Sequence, residues 1–481
     1  MDRKKILMIQ PPFKELKFGN EWEGTDTLAP PLGLMYLGTP LINEGFDVKF
    51  IDFNVDKFSE SEFLKFISDS DFLLLSCFSS TIKNIYKIIN IAKKVNPSIY
   101  IICGGPYPKL TGNHILGSDL TVIGEAEDFI TIIIEKIINK DSLSDIPGLI
   151  YKKGGKIIKN KGFLLIKDLD SSKSSEKILA KGKDYGYFFG YKIKGLSGIM
   201  TSRGCPFNCY FCTHRGVFDS KQVRKRSVEN IVSELKELQS NGTKYVIFYD
   251  ENFLLDKKRV MELMDRIIEE KIKLKFVIQG RVDSADFDLY KKLYKAGVMM
   301  ILLGIENANQ DVLDFYNKGI NIEQIEKAII LANKVGIFTM GYFMIGSPVE
   351  EKEHFNVNKK FIKKMPLDAI YISILAYEEG SFLWSKAVKE GKIRKDQITV
   401  NANESLSNYS YNEWLKMKDE LYKGFYSPSR ITRFFYKAAK ADILIAFTKF
   451  FWNGKKGLFG KRKTSFYIGN PKEKIELSNI N

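Results

Sequence analysis

Short β-branched and apolar runs alternate with segments of helical periodicity through the first third of the chain. The apolar runs have the length of strands, and the segments between them repeat apolar residues at helical spacing. Strands are predicted at Lys5–Gln10, Val48–Phe53, Phe72–Cys77, Ser98–Cys103 and Leu120–Gly124. Helices are predicted at Leu32–Glu44, Ser61–Ser68, Ile82–Val95 and Glu127–Asn139. This series predicts an α/β fold with a Rossmann-like, doubly wound parallel sheet.

The pattern changes near residue 145. The stretch PGLIYKKGGKIIKN predicts a β-hairpin that turns at its Gly-Gly pair. The residues from Lys159 to Lys194 are charged and rich in serine, with little periodicity, and they predict a linker between domains. We therefore expect a first domain over 1–145 and a hairpin-and-linker segment over 146–194.

A second strand–helix series follows. Its predicted strands are Gly198–Ser202, Tyr245–Tyr249, Lys275–Gln279, Met299–Gly304, Phe338–Ile345 and Ala369–Leu375. Helices are predicted between them at Val228–Asn241, Lys257–Lys271, Asp286–Ala296 and Ile322–Val335. Six consecutive strand–helix units predict a partial (βα)6 barrel over 195–396, with its chemistry at the carboxyl ends of the strands. The remaining segment, 397–481, is predicted to be a helical, basic C-terminal region.

Composition and charge bear on the partners of the chain. Its 481 residues are 44% hydrophobic and 27% charged, which is typical of a globular protein with two or three domains. The net charge is +16, and ten Lys or Arg residues against one acid lie between Arg430 and Lys463. This aromatic and basic stretch could bind an anionic membrane surface or an acidic substrate. Alternatively, it forms a C-terminal helix whose aromatic stripe covers the barrel mouth and whose lysines are solvated. No nucleic-acid motif accompanies the charge, so no nucleic acid is expected.

Neither a signal peptide nor a membrane span is predicted. The N-terminal apolar run is too short for a signal peptide, and the run Ile443–Trp452 is interrupted by Thr448 and Lys449. Five cysteines argue against a secreted disulfide scaffold, and Cys77 and Cys103 are expected to pack as small hydrophobes. The expected location is cytoplasmic, with peripheral membrane contact through the basic C-terminal region as an alternative.

The segment RGCPFNCYFC, Arg203–Cys212, holds the other three cysteines. Cys205, Cys209 and Cys212 have the spacing C-x3-C-x2-C, in the loop after the first barrel strand. Three thiolates suit an iron–sulfur cluster in which one iron stays open for an exchangeable ligand. Zinc normally takes four ligands, and the neighbourhood offers only His214 as the fourth. Both metals remain alternatives on these residues alone.

CPFNCYFC resembles the signature of the radical S-adenosylmethionine (SAM) enzymes, in which the residue before the last cysteine is aromatic. The strand ends YDENF, QGRVD, GIEN and GYFMIGSPVE are similar to the SAM-binding strand ends of that superfamily. The resemblance implies a [4Fe–4S] cluster, with Cys205, Cys209 and Cys212 as metal ligands and catalytic residues. It also implies that SAM is bound by Phe211, Tyr249, Asp250, Glu251, Asn252, Gln279, Arg281, Gly304, Glu306 and Gly346.

Each of these strand ends would meet one part of SAM. The resemblance implies that the segment around Glu251 would hold the methionine amino group and that Arg281 would reach the carboxylate. It also implies that Glu306 would approach the ribose and that the strand end at Gly346 would line the adenine pocket. The implied chemistry is electron transfer from the cluster into SAM, and the resulting 5′-deoxyadenosyl radical takes hydrogen from a substrate. An external one-electron reductant, flavodoxin or ferredoxin, is expected as a partner.

The N-terminal series resembles the cobalamin-binding domain that precedes the radical SAM core in one large subfamily. The matching stretches are PPLGLMYLGTPLINEGFDVKFIDFN, the serine-rich loop after Phe72–Ser76, ICGGPYP and IGEAED. Ligands of open parallel sheets bind at the carboxyl ends of the strands, although Gly and Pro there also simply make turns. The candidate cobalamin residues at this edge are Pro11, Pro12, Ser76, Ser79, Ser80, Gly104, Gly105, Pro106, Gly124 and Glu125.

The loop after the first strand, Gln10–Leu16, departs from the classical cobalamin domain because it lacks the histidine that binds cobalt. The chain has three histidines, His114, His214 and His354, and none lies in that loop. Two interpretations follow. Either cobalt has no protein ligand beneath it, or the domain has lost cobalamin and serves as a scaffold or substrate-binding layer.

The leading hypothesis is a cobalamin-dependent radical SAM methyltransferase that works anaerobically on an unactivated carbon of a small molecule or lipid. Its rival is a cobalamin-free radical SAM enzyme of the same architecture that cyclises, couples or rearranges its substrate. A zinc-stabilised corrinoid sensor or carrier is the non-enzymatic alternative, and it requires zinc at the cysteine triad.

Overall fold

A seven-stranded sheet forms the first part of the protein, in a computed structural model that describes residues 3–16, 29–172, 174, 176–183, 185–188, 191–214 and 222–440. Its strands lie in the order β2-β1-β3-β4-β5-β6-β7, and β1 to β5 pair in parallel. These five are β1 (Lys5–Gln10), β2 (Asp47–Asp52), β3 (Phe72–Ser76), β4 (Tyr100–Gly104) and β5 (Leu120–Val122). The prediction of a doubly wound parallel sheet is confirmed.

Alternation along β1 explains the two layers of helices. Ile6 and Met8 belong to the core on one face of the sheet, and Leu7 and Ile9 belong to the core on the other. Because successive strand residues point to opposite faces, a continuous apolar strand must be covered on both sides. The covering helices are Leu32–Asn43, Glu60–Ser68, Ile82–Val95, Pro106–Thr111 and Ile130–Ile138.

The hairpin grouped with the linker by the sequence extends this sheet instead. It consists of β6 (Leu149–Lys153) and β7 (Lys156–Lys159), and β6 pairs antiparallel with β5. The chain after the hairpin also packs closely, because Leu164 and Ile166 are fully buried. The described part of the predicted linker therefore has a buried apolar side of its own. It continues through a short helix, Glu176–Leu179, and the ribbon of β8 (Tyr187–Phe188) and β9 (Tyr191–Lys192).

Six parallel strands in sequence order form the second sheet, as predicted for a partial barrel. They are β10 (Leu196–Ile199), β13 (Tyr245–Phe248), β14 (Lys275–Arg281), β15 (Val298–Glu306), β16 (Phe338–Ile345) and β17 (Ala369–Ile374). Two ribbons accompany them, β11 (Ser202–Arg203) with β12 (Arg224–Lys225) and β18 (Ala376–Glu378) with β19 (Thr399–Asn401). The helices are Val228–Ser240, Lys257–Glu269, Phe287–Lys295, Gln310–Phe315, Ile322–Val335, Lys352–Lys364 and Phe382–Lys389.

Two helices, Tyr411–Phe425 and Pro428–Lys440, follow the barrel. Phe434 on the second helix packs edge-on against Phe338, the first residue of β16, with ring centroids 5.3 Å apart. Arg433 and Lys437 form ion pairs with Asp368, which is buried just before β17. The described part of the basic region therefore closes the barrel at the amino ends of its strands.

The proposed membrane contact depends on residues after 440, which lie outside the described part of the chain. Among the described residues, no helix has both the length and the apolar character needed to cross a membrane.

Replacing Phe434 with alanine should lower the free energy of unfolding by about 3–5 kcal/mol, because the buried ring loses its contacts and leaves a cavity. Urea unfolding followed by circular dichroism measures this change. Tyr436→Ala is the control, since Tyr436 lies on the same helix and is 61% exposed. Its effect should stay within about 0.5 kcal/mol. Equal losses in both variants would contradict the packing role of Phe434.

Candidate functional site

A narrow neck carries the cysteine loop. The ribbon of β11 and β12 pairs Arg203 with Arg224, and the loop between them holds the three cysteines. Gly204, directly after β11, has a φ of +112°, and a Cβ there would lie 2.6 Å from the carbonyl oxygen of Gln222. A side chain therefore does not fit at this position, and glycine lets the two sides of the neck approach.

The three thiols lie near one another, half-buried within that loop. Burial raises the pKa of Cys205, and the neighbouring Cys209 raises it further. Burial also raises the pKa of Cys212 to about 11, with both other cysteines adding to the effect. Without a cation, the thiols of Cys205 and Cys212 therefore remain protonated near neutral pH. Bound iron would reverse this, because a metal stabilises the thiolate form.

The donor set fits an iron–sulfur cluster better than a single zinc ion. Within the described residues, no three His, Cys, Asp or Glu side chains converge closely enough to hold one metal ion. Cysteines that bind different irons of one cluster stand further apart than the ligands of one ion. His214, the predicted fourth zinc ligand, has its Nδ1 3.6 Å from Glu251 Oε1. Burial lowers the pKa of His214 to about 4, so its ring is neutral.

Arg281, at the end of β14, lies directly beside the triad. Its guanidinium stacks on Phe207 of the cysteine loop at 3.6 Å, and its Nη1 is 3.8 Å from Cys209 Sγ. An ion pair with Asp283 at 3.0 Å and a hydrogen bond to the Lys318 carbonyl at 2.8 Å hold it there. The predicted carboxylate-binding arginine thus lies within reach of a SAM molecule on the triad.

Asp250 and Glu251 lie in the segment after β13, and both carboxylates bond to the start of the cysteine loop. Asp250 accepts hydrogen bonds from the Thr201 backbone, the Thr201 hydroxyl and the Ser202 hydroxyl, at 2.7, 2.6 and 2.5 Å. Asp250 is fully buried and therefore anchors the root of the cysteine loop. Glu251 accepts from the Gly204 N–H at 3.2 Å, and burial raises its pKa.

The two other residues of this segment have different surroundings. Asn252 Oδ1 accepts from the backbone N–H of Arg281 at 3.4 Å, whereas its buried Nδ2 has no hydrogen-bond partner among the described residues. A buried amide donor without a partner is costly, so Nδ2 is a candidate contact for a bound ligand. The ring of Tyr249 lies over Gly198, where a Cβ would come within 2.4 Å of it.

Glu306 ends β15 in a strained conformation, with a φ of 64°. Its carboxylate pairs with Lys318 at 2.6 Å, and both side chains are largely buried. Gly304 lies beneath this pair, and a Cβ there would lie 2.8 Å from Glu306 Oε1, so a larger residue would shift the carboxylate. Non-glycine residues with positive φ cost free energy and concentrate at functional sites. The ribose-binding role of Glu306 stays a prediction.

Phe211 and Gln279 complete the predicted residues around the triad. The Phe211 ring packs edge-on against Tyr316 at 5.4 Å, with the Lys318 ammonium 5.7 Å from its centroid. Gln279 lies in β14 opposite Leu302 of β15 and is partly exposed. Lys318 therefore links the aromatic position of the cysteine motif to Glu306.

The turn at Gly346 is held by a buried carboxylate. Glu350 accepts from the N–H groups of Gly346 and Ser347 at 2.7 and 2.8 Å and from Asn307 Nδ2 at 2.8 Å. Burial raises its pKa to about 7. Gly346 has a φ of +106°, and a Cβ there would lie 2.8 Å from Ala402. The predicted adenine-lining strand end is thus rigid.

Two asparagines fix the loop after β1 in the N-terminal sheet. Asn54 Nδ2 donates to the Pro11 carbonyl at 3.1 Å, and Asn84 Nδ2 donates to the Pro12 carbonyl at 2.8 Å. Asn84 also accepts from the Leu16 N–H at 2.9 Å. The loop therefore has a defined path without a metal-binding histidine.

The next two strand ends approach each other closely. Gly105, with a φ of +107°, would place a Cβ 3.0 Å from both N and O of Cys77. The Cys77 N–H donates to the carbonyl of Gly104 at 2.8 Å. Ser76 is opposite Gly104, and Pro106 begins the short helix that follows. Cys77 and Cys103 are fully buried within one core, as expected for small hydrophobes.

This carboxyl edge faces the barrel. Ser79 forms a hydrogen bond to the Glu378 carboxylate of β18. Burial raises the pKa of Glu378 by more than this hydrogen bond lowers it. Ser80 lies in the same short turn. Leu110 packs on Gly380, where a Cβ would lie 2.0 Å from Leu110 Cδ1. The strand ends of the two domains therefore meet.

Gly124 and Glu125 serve this contact rather than an open cavity. A Cβ on Gly124 would lie 2.1 Å from the Leu164 carbonyl oxygen. Glu125 accepts from Arg224 at 2.6 and 2.7 Å, so its carboxylate binds the neck of the cysteine loop. The sequence did not predict the roles of Arg203, Arg224 and Lys318. For Arg203, its position directly before Gly-Cys was an available signal. No sequence spacing indicated the roles of Arg224 and Lys318.

Comparisons with known proteins agree with this arrangement. The family description "Radical SAM superfamily" matches residues 199–362, and the "B12 binding domain" matches residues 25–134. An uncharacterized methyltransferase of Pyrococcus horikoshii is 30% identical over 437 residues, covering 88% of this chain and 92% of that protein. The anaerobic magnesium-protoporphyrin IX monomethyl ester cyclase of Synechocystis is 25% identical over 390 residues. That match covers 79% of this chain and 76% of the cyclase.

A solved structure shares the fold of both domains. The cobalamin-dependent SAM radical enzyme OxsB, solved with aqua-cobalamin and SAM, matches with a TM-score of 0.68 and 15% identity. The match covers 94% of this chain and 73% of that one. With the cysteine triad, the flanking strand ends and the N-terminal sheet all in place, this chain belongs to the radical SAM superfamily and carries an N-terminal B12-binding domain.

Proposed function

We propose that this enzyme is a cobalamin-dependent radical SAM methyltransferase that acts on an unactivated carbon of a small molecule or lipid. The observation that supports it most is the orientation of the two domains. The carboxyl edge of the B12-binding sheet contacts the barrel at Ser79 and Leu110, and it meets the cysteine loop at Glu125. A methyl carrier in the first domain and SAM in the second would then share one space.

The residues of the chain bind and orient the reactants in this proposal. Cys205, Cys209 and Cys212 would hold the [4Fe–4S] cluster, and Arg281 would bind the SAM carboxylate beside Cys209. Glu306 would orient the ribose. When bound, the cluster supplies the electron that cleaves SAM, and cobalamin supplies an exchangeable methyl carrier. A flavodoxin or ferredoxin would deliver the electron from outside.

Cyclisation of a substrate without cobalamin is the second candidate. The similarity to the magnesium-protoporphyrin cyclase, at 25% identity over 390 residues, favours it. Both candidates use the same triad and the same SAM residues, so the barrel alone does not separate them. The N-terminal domain does, because only the methyltransferase needs a loaded corrinoid.

Cys209→Ala should abolish the formation of 5′-deoxyadenosine from SAM under reducing, anaerobic conditions, because the cluster loses one of its three protein ligands. Chromatography of the products and iron analysis measure this, with about four irons per chain expected in the wild type. Cys103→Ala serves as the matched control and should keep SAM cleavage, since Cys103 is buried in the other domain. Zinc without iron in the wild type, or full activity of Cys209→Ala, would contradict the assignment.

Protein produced with cobalamin supplied should contain a corrinoid that survives gel filtration, with its absorption bands in the visible spectrum. Addition of SAM carrying a labelled methyl group and a reductant should transfer the label to the bound corrinoid. If iron-loaded protein cleaves SAM but retains no corrinoid, the methyltransferase proposal is wrong and the cyclase-like reaction is favoured.

A further inference from the structure

The neck of the cysteine loop carries two arginines side by side. Arg203 and Arg224 are directly opposite each other in the antiparallel ribbon of β11 and β12. Like charges at such a position repel each other. The ribbon is therefore stable only when anions neutralise both guanidinium groups.

The neutralising groups come from the other domain. Glu125 binds Arg224 through both oxygens, at 2.6 and 2.7 Å, and lies 3.4 Å from Arg203. Glu127 accepts from Arg203 at 2.8 Å. Both carboxylates follow β5 of the N-terminal sheet. We call these four side chains the neck network.

The neck network is shielded from water. Its four side chains are between 8% and 11% exposed. Burial by itself raises the pKa of Glu125, but the hydrogen bonds from Arg224 and the charge of Arg203 outweigh it and lower the pKa. Lys109, from the short helix Pro106–Thr111 after β4, also favours the charged carboxylate. Glu125 is therefore ionised in the folded protein.

The linker joins the same network. Glu125 accepts from the Ile166 N–H at 3.1 Å, and Arg224 also donates to the Ile166 carbonyl. The Arg203 guanidinium lies over the ring of Tyr36 from the first helix, 5.7 Å from its centroid. Three segments of the chain, the B12-binding sheet, the linker and the neck, thus meet at one carboxylate.

From this geometry we infer that Arg203 and Arg224 are positioning residues that fix the cysteine loop against the carboxyl edge of the N-terminal sheet. Arg203 is separated from Cys205 by a single glycine, so a displacement of the neck also displaces the first cysteine. The inference rests on the proposed function only in its consequence for methyl transfer. Its structural part, that Glu125 and Glu127 order the neck, holds for either candidate reaction.

Removal of the Glu125 charge tests the neck network directly. Glu125→Gln keeps the size of the side chain but leaves two buried guanidinium groups facing each other. Hydrogen–deuterium exchange of the iron-loaded full-length protein should become at least about tenfold faster in peptides from 196–205 and 222–227, since an unpaired buried charge favours local opening. Peptides around Ile166 should change with them.

Asp368→Asn is the matched control. Asp368 is buried in the barrel domain at the amino ends of its strands, away from the neck, and it pairs with Arg433 and Lys437 at 3.4 and 2.8 Å. Its variant also leaves two cations without their carboxylate, but it should leave exchange of the neck peptides within about twofold of the wild type if the contact between the domains orders the neck. Equal acceleration in both variants, or none in Glu125→Gln, would overturn the inference.

Glu127→Gln provides a second test if Glu125→Gln does not fold, because it removes only the contact with Arg203. It should accelerate exchange at 201–205 more than at 222–227. Iron content should stay at the wild-type level in Glu125→Gln and Glu127→Gln, whereas their label transfer from SAM to bound cobalamin should fall about tenfold. A wild type without label transfer would end the methyltransferase proposal, whereas the exchange rates would still support or overturn the neck network independently.

Discussion

One buried carboxylate, Glu125, joins the two halves of this enzyme. It binds Arg224 through two oxygens and meets Arg203 across the neck of the cysteine loop. Taking such charges out of water is costly, and the cost is offset only when each donor and acceptor has a partner. Here every oxygen of Glu125 has at least one partner, including the Ile166 N–H of the linker.

The cysteine loop depends on this contact at its root and on the barrel at its tip. Asp250 accepts three hydrogen bonds from Thr201 and Ser202, directly before the neck. Arg281 stacks on Phe207 within the loop. Between these anchors the three thiols remain half-buried, and the protonated state favoured by burial of Cys205 and Cys212 would give way to thiolates when iron binds. The protein thus holds the loop in place through groups that do not themselves bind the metal.

In the predicted SAM site, one residue likewise contacts two others. Lys318 neutralises Glu306 at 2.6 Å, and its carbonyl accepts from Arg281 at 2.8 Å. One short segment therefore sets both the acidic and the basic residue of the predicted SAM site. The N-terminal sheet contributes rigid loops instead of a cobalt-binding histidine, with Asn54 and Asn84 fixing the loop after β1.

The amino-acid sequence by itself determined the order and type of the main strands and longer helices of both sheets, because apolar alternation and helical spacing are local properties. Short helices such as Pro106–Thr111 and Gln310–Phe315 were not predicted. It also indicated the reaction class, because CPFNCYFC and the strand ends after it resemble the radical SAM signature, whereas the cysteine spacing alone left zinc as an alternative. Only the tertiary structure decided the roles that depend on contacts between residues far apart in the sequence. Asp250 anchors a loop, Glu125 joins two domains, and the hairpin after residue 148 completes the first sheet. Such roles depend on partners about 50 to 100 positions away, such as Thr201 for Asp250 and Arg224 for Glu125, and no local pattern encodes them.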